Sequence, residues 1–293
     1  MRVPLTFWIL PLLFMADLSA ADAGKPVVVN QNLPLRSGTV LREQLLIAVE
    51  RGTTRVEAKS GNRELATLWR HRYTLVRRIQ GGGAEEVDVR DHACATGLFP
   101  PGAPPPVVEQ RGPLVNKTLR ARRRAVGWEY LPKEGKAAPA ELSCLLDLGF
   151  LNGVLEIIPA ALGTRPRKPG EGWKETIPAP RGKAHGLAVF KDVEAALGSI
   201  EQRPDGPHAR LFISGSFTMQ RPMGYNAAVE STFAITLVRR LSDMLDVEMK
   251  ITGVFKNSYE VNYQASEGAV AERATFRQEL PYTLTRSLQI EGR

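Results

Sequence analysis

The chain has 293 residues, 43% of them hydrophobic, with 39 basic against 31 acidic side chains and a net charge of +8. That apolar fraction excludes wholesale disorder, and the length allows one large domain or two modest ones. The basic excess favours anionic partners through screened electrostatics: acidic lipid headgroups, glycans or an envelope protein, with no nucleic acid expected.

Met1 to Ala23 reads as a secretory signal peptide. Arg2 supplies a minimal positive region, Leu5 to Met15 form a short apolar run, and Ala21-Asp22-Ala23 offers an A-x-A cleavage site. Leu18-Ser19-Ala20 is a second small-residue site, so the cut falls at one or the other. The run is too short for a bilayer span, and Pro4 and Pro11 interrupt it. No cysteine follows either site and no twin arginine is present, so neither acylation at the first mature residue nor folded-state export is expected. The mature protein is expected in the periplasm or the medium. Its most apolar stretch, Leu145 to Ile158, is broken by Asp147, Asn152 and Glu156, so no transmembrane segment is expected there.

Strand-like alternation begins at Leu41, where Leu41, Leu45, Ile47 and Val49 share one face opposite Arg42, Gln44 and Glu50. Lys59-Ser60-Gly61-Asn62 is a turn, and Leu68 to Ile79 alternate again with Trp69, His71, Tyr73, Leu75 and Ile79 on one face. Gly81-Gly82-Gly83 end that strand, and Val87 begins another. Residues 99–113 are proline-rich and predict a surface loop. Ala138 to Asp147 is the helix candidate, with Pro139 near its start and Gly149 placed to stop it. The breaker-rich run Gly163 to Gly170 predicts a boundary between two β lobes, residues 24–162 and 163–293.

In the second half Pro204-Asp205-Gly206-Pro207 is a turn. Leu211, Ile213, Phe217 and Met219 then alternate, as do Val229, Phe233, Ile235 and Leu237, and Val247, Met249, Ile251 and Phe255. Gly215 marks a bulge or a close approach, and Asn257-Ser258 a turn into Tyr259-Val261-Tyr263. Phe276, Leu280, Tyr282, Leu284 and Leu288 form a last strand. The fold class is therefore mainly β: antiparallel meander sheets in two lobes, half-barrel or sandwich-like, with one short helix.

Sites of chemistry are few. There is no G-x-S-x-G, H-E-x-x-H, C-x-x-C, Walker or Rossmann pattern. His71, His92, His185 and His208 lack the spacing that puts two metal ligands on one face, so no metal, cofactor or catalytic residue is expected. His71, between Trp69 and Tyr73, reads as a structural core histidine. Glu85, Glu86 and Asp88, and Asp243, Asp246 and Glu248, read as solvated charges. Cys94 and Cys144, an even count in an oxidising compartment, predict one disulfide. Arg120, Arg122 and Arg124 would project from one strand face as a positive stripe, a candidate anionic-ligand site beside the plainer reading of a solvated outer face.

Pro169-Gly170-Glu171-Gly172-Trp173-Lys174 follows Thr118-Leu119, Gly127-Trp128 and the apolar stretch ending at Ile158-Pro159, and precedes an alternating segment that leads to Ala209 to Gly215. This order resembles an uncharacterised family of exported bacterial β-rich proteins, a domain of unknown function. The resemblance covers residues 114–215 and brings no catalytic residues with it. At the level of fold alone, long meanders around a helix are similar to the lipoprotein-carrier half-barrels of the bacterial envelope, whose concave face holds acyl chains. The expectation is an exported non-enzymatic binding protein for a lipid, a glycan or a protein partner. A scaffolding protein with fully packed sheet faces and a divergent hydrolase are the alternatives.

Overall fold

The computed structural model describes residues 25–31, 33, 35–104, 108–123, 128–155, 157–177, 188–220, 228–264 and 271–291. The signal-peptide reading of Met1–Ala23 lies outside them, as do Arg124 and His185. The described chain is mainly β, one open antiparallel sheet of twelve strands rather than a closed barrel. The strands of the first half are β1 (Val40–Ala58), β2 (Gly61–Gly81), β3 (Ala84–Phe99), β4 (Gln110–Arg111), β5 (Thr118–Arg123) and β6 (Trp128–Pro132). Helices α1 (Pro139–Leu155) and α2 (Ile157–Leu162) follow. The second half holds β7 (Gly172–Glu175), β8 (Ala188–Arg203), β9 (Gly206–Gln220), β10 (Ala228–Arg240), β11 (Leu245–Tyr263) and β12 (Glu272–Ile290).

Strand order is β6-β5-β3-β2-β1-β12-β11-β10-β9-β8-β7, with β4 beside β3. The chain starts in the middle of the sheet and steps out to one edge. It crosses through the helices to the other edge, then steps back until β12 pairs with β1. Residues on both sides of the expected boundary near 163 thus share one hydrogen-bonded sheet. Eleven strands at about 4.8 Å would span about 48 Å if flat. The 17 and 6 residues of α1 and α2 reach only about 35 Å at 1.5 Å per residue, yet α1 packs on β6 and α2 on β7 and β8. The sheet therefore curls around the helices.

Its inner face is built from cross-strand rows. Cys94, His71, Ile47, Leu284, Ile251, Ile235, Ile213, Ala195 and Trp173 stand directly opposite one another across nine successive strands. All but Cys94 are buried. Slipping any strand by one residue would turn this row toward solvent, so the row fixes the register. At one end of the face lies a row of buried charge. Arg77 donates to Glu85 at 2.7 Å and to Glu43 at 3.0 Å, and Arg286 donates to Glu43 at 2.6 Å. Burial alone would raise the Glu43 pKa, but Arg286 and Arg77 outweigh it and hold the carboxyl below its usual range. Glu85, expected to be solvated, is buried because the β2–β3 pairing sets it beside Arg77.

Two other expectations change. β11 runs unbroken through Asn257 and Ser258, because both pair with β12 and Asn257 also with Val229. The helix begins as expected, with Glu141 accepting the Ala138 N–H at 2.9 Å, the reciprocal half of a capping box. It continues through Gly149 because that position meets β6: a Cβ there would lie 2.8 Å from the Trp128 carbonyl oxygen.

Gly149→Ala in an exposed helix would stabilise by about 1 kcal/mol. Here the clash reverses the sign, and urea denaturation is expected to show a loss of about 1 kcal/mol or more. Arg77→Met takes the guanidinium from buried Glu85 and leaves Glu43 with Arg286 alone, and is expected to cost about 3–5 kcal/mol. Because Glu43 is depressed in the folded state, its contribution is complete above its unfolded value near 4.5 and is lost as pH falls through the folded value. A Glu43→Gln variant should show a shallower loss of stability below pH 4.5 than the parent.

Candidate functional site

The end of the inner face opposite the charge row is aromatic. Tyr282, Gly253, Phe233 and Gly215 form one cross-strand row, with the rings seated over the glycines. The next row is Leu280, Phe255, Ser231, Phe217 and Phe190. Phe255 stacks on Tyr282 at 4.0 Å between centroids, and Phe190 packs against Phe217 and Phe233 at 5.6 and 6.0 Å. Phe217, Phe233 and Tyr282 are buried, whereas Phe190, Phe255 and Leu280 stay partly open. A cleft of about 400 Å³ between β7 and β8, lined in part by Ile177, Phe190 and Lys191, opens beside this row. One position further out, Asn257 is buried to 8% exposure, and its Oδ1 has no hydrogen-bond partner among the described residues. Stacked apolar rings with an unfilled acceptor at their margin suit a ligand that is apolar along its length and carries a donor at one end.

A second cluster sits where α1 crosses β2 and β3. His92 faces Tyr73 across the strands, Cys94 faces His71, and Cys144 reaches in from α1. His71, His92 and Cys144 are 5%, 0% and 4% exposed. The Leu114 N–H donates to His92 Nδ1 at 3.3 Å, which places the His92 proton on Nε2. That nitrogen donates to His71 Nδ1 at 3.1 Å, and the Tyr73 hydroxyl lies 3.2 Å from the same atom and also bonds Cys144. Gly112 completes the pocket, since a Cβ there would lie 2.2 Å from the His92 ring. Burial lowers the His71 and His92 pKa to about 4, aided at His92 by His71. Burial, with Asp147 and Cys94 nearby, raises the Cys144 thiol to about 11. The site therefore holds neutral imidazoles beside a protonated thiol, the opposite of the imidazolium–thiolate pair of a cysteine nucleophile.

In place of the expected Cys94–Cys144 disulfide the structure has two free thiols. Cys144 is engaged with Tyr73, and Cys94 is half-exposed beside His71. His71 is the hydrogen-bonded core histidine expected, but its partner is a second histidine 21 residues away. Arg120 and Arg122 are exposed on the outer face of β5, at the charge-row end of the sheet and away from the aromatic rows. Asp246 and Asp243 are held by Arg239 and Arg240 at 2.6–3.0 Å, because the β10–β11 turn folds them onto those guanidinium groups. Arg239 also donates to Val29 O at 2.9 Å and so anchors the N-terminal segment. Trp173 donates to Ala161 O at 2.9 Å beneath the Arg167 guanidinium, which ties α2 to the edge strand β7. The cross-strand clusters had no linear signal. Only the shared face of His71 and Tyr73 was readable.

No protein-family model and no curated protein matches the chain. Among solved structures it is similar to one of lipid–protein interactions in lipovitellin, with a TM-score of 0.41 and 8% identity over 88% of this chain and 26% of that one. It is also similar to a domain assigned to outer membrane lipoprotein sorting from Vibrio parahaemolyticus, with a TM-score of 0.21 and 9% identity over 90% and 88% of the two chains. This chain thus spans about a quarter of the lipovitellin chain. Likenesses this distant do not bear on function.

Thiol labelling tests the arrangement of the cluster directly. In reduced, metal-free protein Cys94 is expected to react with iodoacetamide well before Cys144, because Cys144 is both buried and held as the thiol. Equal rates in the native state would mean that Cys144 of α1 is not packed against β2 and β3.

Proposed function

We propose that this is an exported, non-enzymatic protein of the bacterial envelope that binds an amphipathic ligand with an acyl or similar apolar portion at the aromatic end of its inner face. The observation that carries the reading is the pair of aromatic rows whose outer members, Phe190, Phe255 and Leu280, remain partly open beside a cleft. Apolar rings left open at the end of a core are a binding surface, because closing them costs the fold nothing more than burying one ligand. The unfilled Asn257 acceptor supplies orientation for a hydroxyl or amide donor. Export rests on the Met1–Ala23 signal, and the basic excess, with Arg120 and Arg122 on the outer face, suits attraction to an anionic membrane surface. A non-enzymatic role is supported by the resting protonation of the His–Cys cluster, which holds no activated nucleophile.

A dansylated fatty acid provides the test. The parent is expected to bind it with a blue shift in emission, and Phe190→Asp or Phe255→Asp to weaken binding by at least about tenfold. Arg122→Glu, remote from the rows, should leave probe binding unchanged while weakening association with anionic vesicles. Unaltered probe binding in folded Phe190→Asp and Phe255→Asp variants would rule out the aromatic end as the site.

A further inference from the structure

We infer that His71, His92 and Cys144, with Cys94 as fourth donor, form a zinc-class metal site that fastens α1 to β2 and β3. The three first-named residues present one nitrogen or sulfur ligand atom each, all within 4.8 Å of one another and all buried. The His71 Nδ1 and His92 Nε2 atoms are 3.1 Å apart. Two nitrogens on a tetrahedral zinc at about 2.0–2.1 Å from the metal stand about 3.3 Å apart, so the pair needs almost no movement. Cys94 stands directly across from His71 on the same face; its sulfur lies outside the group of three ligand atoms, and a turn of its side chain would bring it in as the fourth donor. Two imidazoles and two thiols are a borderline-soft set that suits zinc over the hard cations. The ligands come from three elements, as a site that closes a fold requires.

The protons balance. His71 Nδ1 already offers its lone pair, and His92 moves its proton from Nε2 to Nδ1, giving up the long contact from the Leu114 N–H. Losing one such hydrogen bond is a small cost beside the free energy of a closed zinc site. The two thiols release their protons to solvent as the zinc–sulfur bonds form, so affinity falls as pH falls. The Tyr73 hydroxyl would give up its contact with His71 Nδ1, which the metal takes, and keep its hydrogen bond to Cys144, holding that ligand in orientation. Nothing is oxidised. The same two thiols can instead pair as a disulfide when an oxidant acts first, and the two fates exclude each other.

The test uses the full mature chain, reduced, desalted without oxygen and titrated with Co(II), then with Zn(II). The expected result is one Co(II) per chain, with the intense visible bands of a tetrahedral ion and a near-ultraviolet thiolate band, both abolished by Zn(II). Cys144→Ser and His71→Ala should each weaken Co(II) binding by more than about tenfold, and Cys94→Ser should reduce the thiolate band while leaving a tetrahedral signal. Circular dichroism checks that the variants fold, and the parent titration decides the matter if they do not. Reduced parent protein with two titratable thiols and native dichroism that binds neither ion, or that gives an octahedral cobalt spectrum, would overturn the site.

Discussion

The pairing of β1 with β12 is the constraint on which the rest of the structure depends. It joins Leu41–Glu57 to Thr275–Ile290, strands far apart in the sequence, in the centre of the sheet rather than at an edge. Once first and last strands meet there, the middle of the chain must travel from one sheet edge to the other. The two helices make that crossing. They therefore lie against the inner face, and the apolar side of a large open sheet gains its cover from its own connection. The bulge between Ala48 and Thr53 is tolerated within this pairing and lets the long strand bend with the sheet.

Register then divides the inner face into zones. The aliphatic row from Ile47 to Ile213 occupies the middle and belongs to the main hydrophobic core. On one side the charges of Glu85, Arg77, Glu43 and Arg286 alternate in sign across four strands and neutralise one another. Such a row contributes little net stability compared with apolar packing, but it is intolerant of a slipped register, which would separate the buried charges from their partners. On the other side lie the rings of Phe190, Phe217, Phe233, Phe255 and Tyr282, with Phe190 and Phe255 left partly open. One face thus combines a sealed half and an open half.

The His–Cys cluster follows from the same register. His71 and His92 are 21 positions apart, and Cys144 a further 52, yet the pairing of β2 with β3 and one helix crossing bring all three together. Gly112 gives the His92 ring its space, and Leu114 sets its tautomer, so the loop expected only to be irregular shapes the pocket. Burial keeps imidazoles and thiols uncharged.

By itself the sequence determined the strand faces. Leu45, Ile47 and Val49, Ile213 and Phe217, and Phe233 and Ile235 all alternate as read and all are buried, because period-two patterning is a local property. It determined the start of α1 through Pro139 and Glu141, which act within one turn. Only the tertiary structure decided where α1 ends, since Gly149 answers to the Trp128 carbonyl and not to its neighbours in the helix. It alone decided that Asn257 and Ser258 lie within a strand, that Glu85 is buried, and that His71 meets His92. Each of these depends on a partner strand far away in the chain, and cross-strand distance is a quantity that local spacing does not contain.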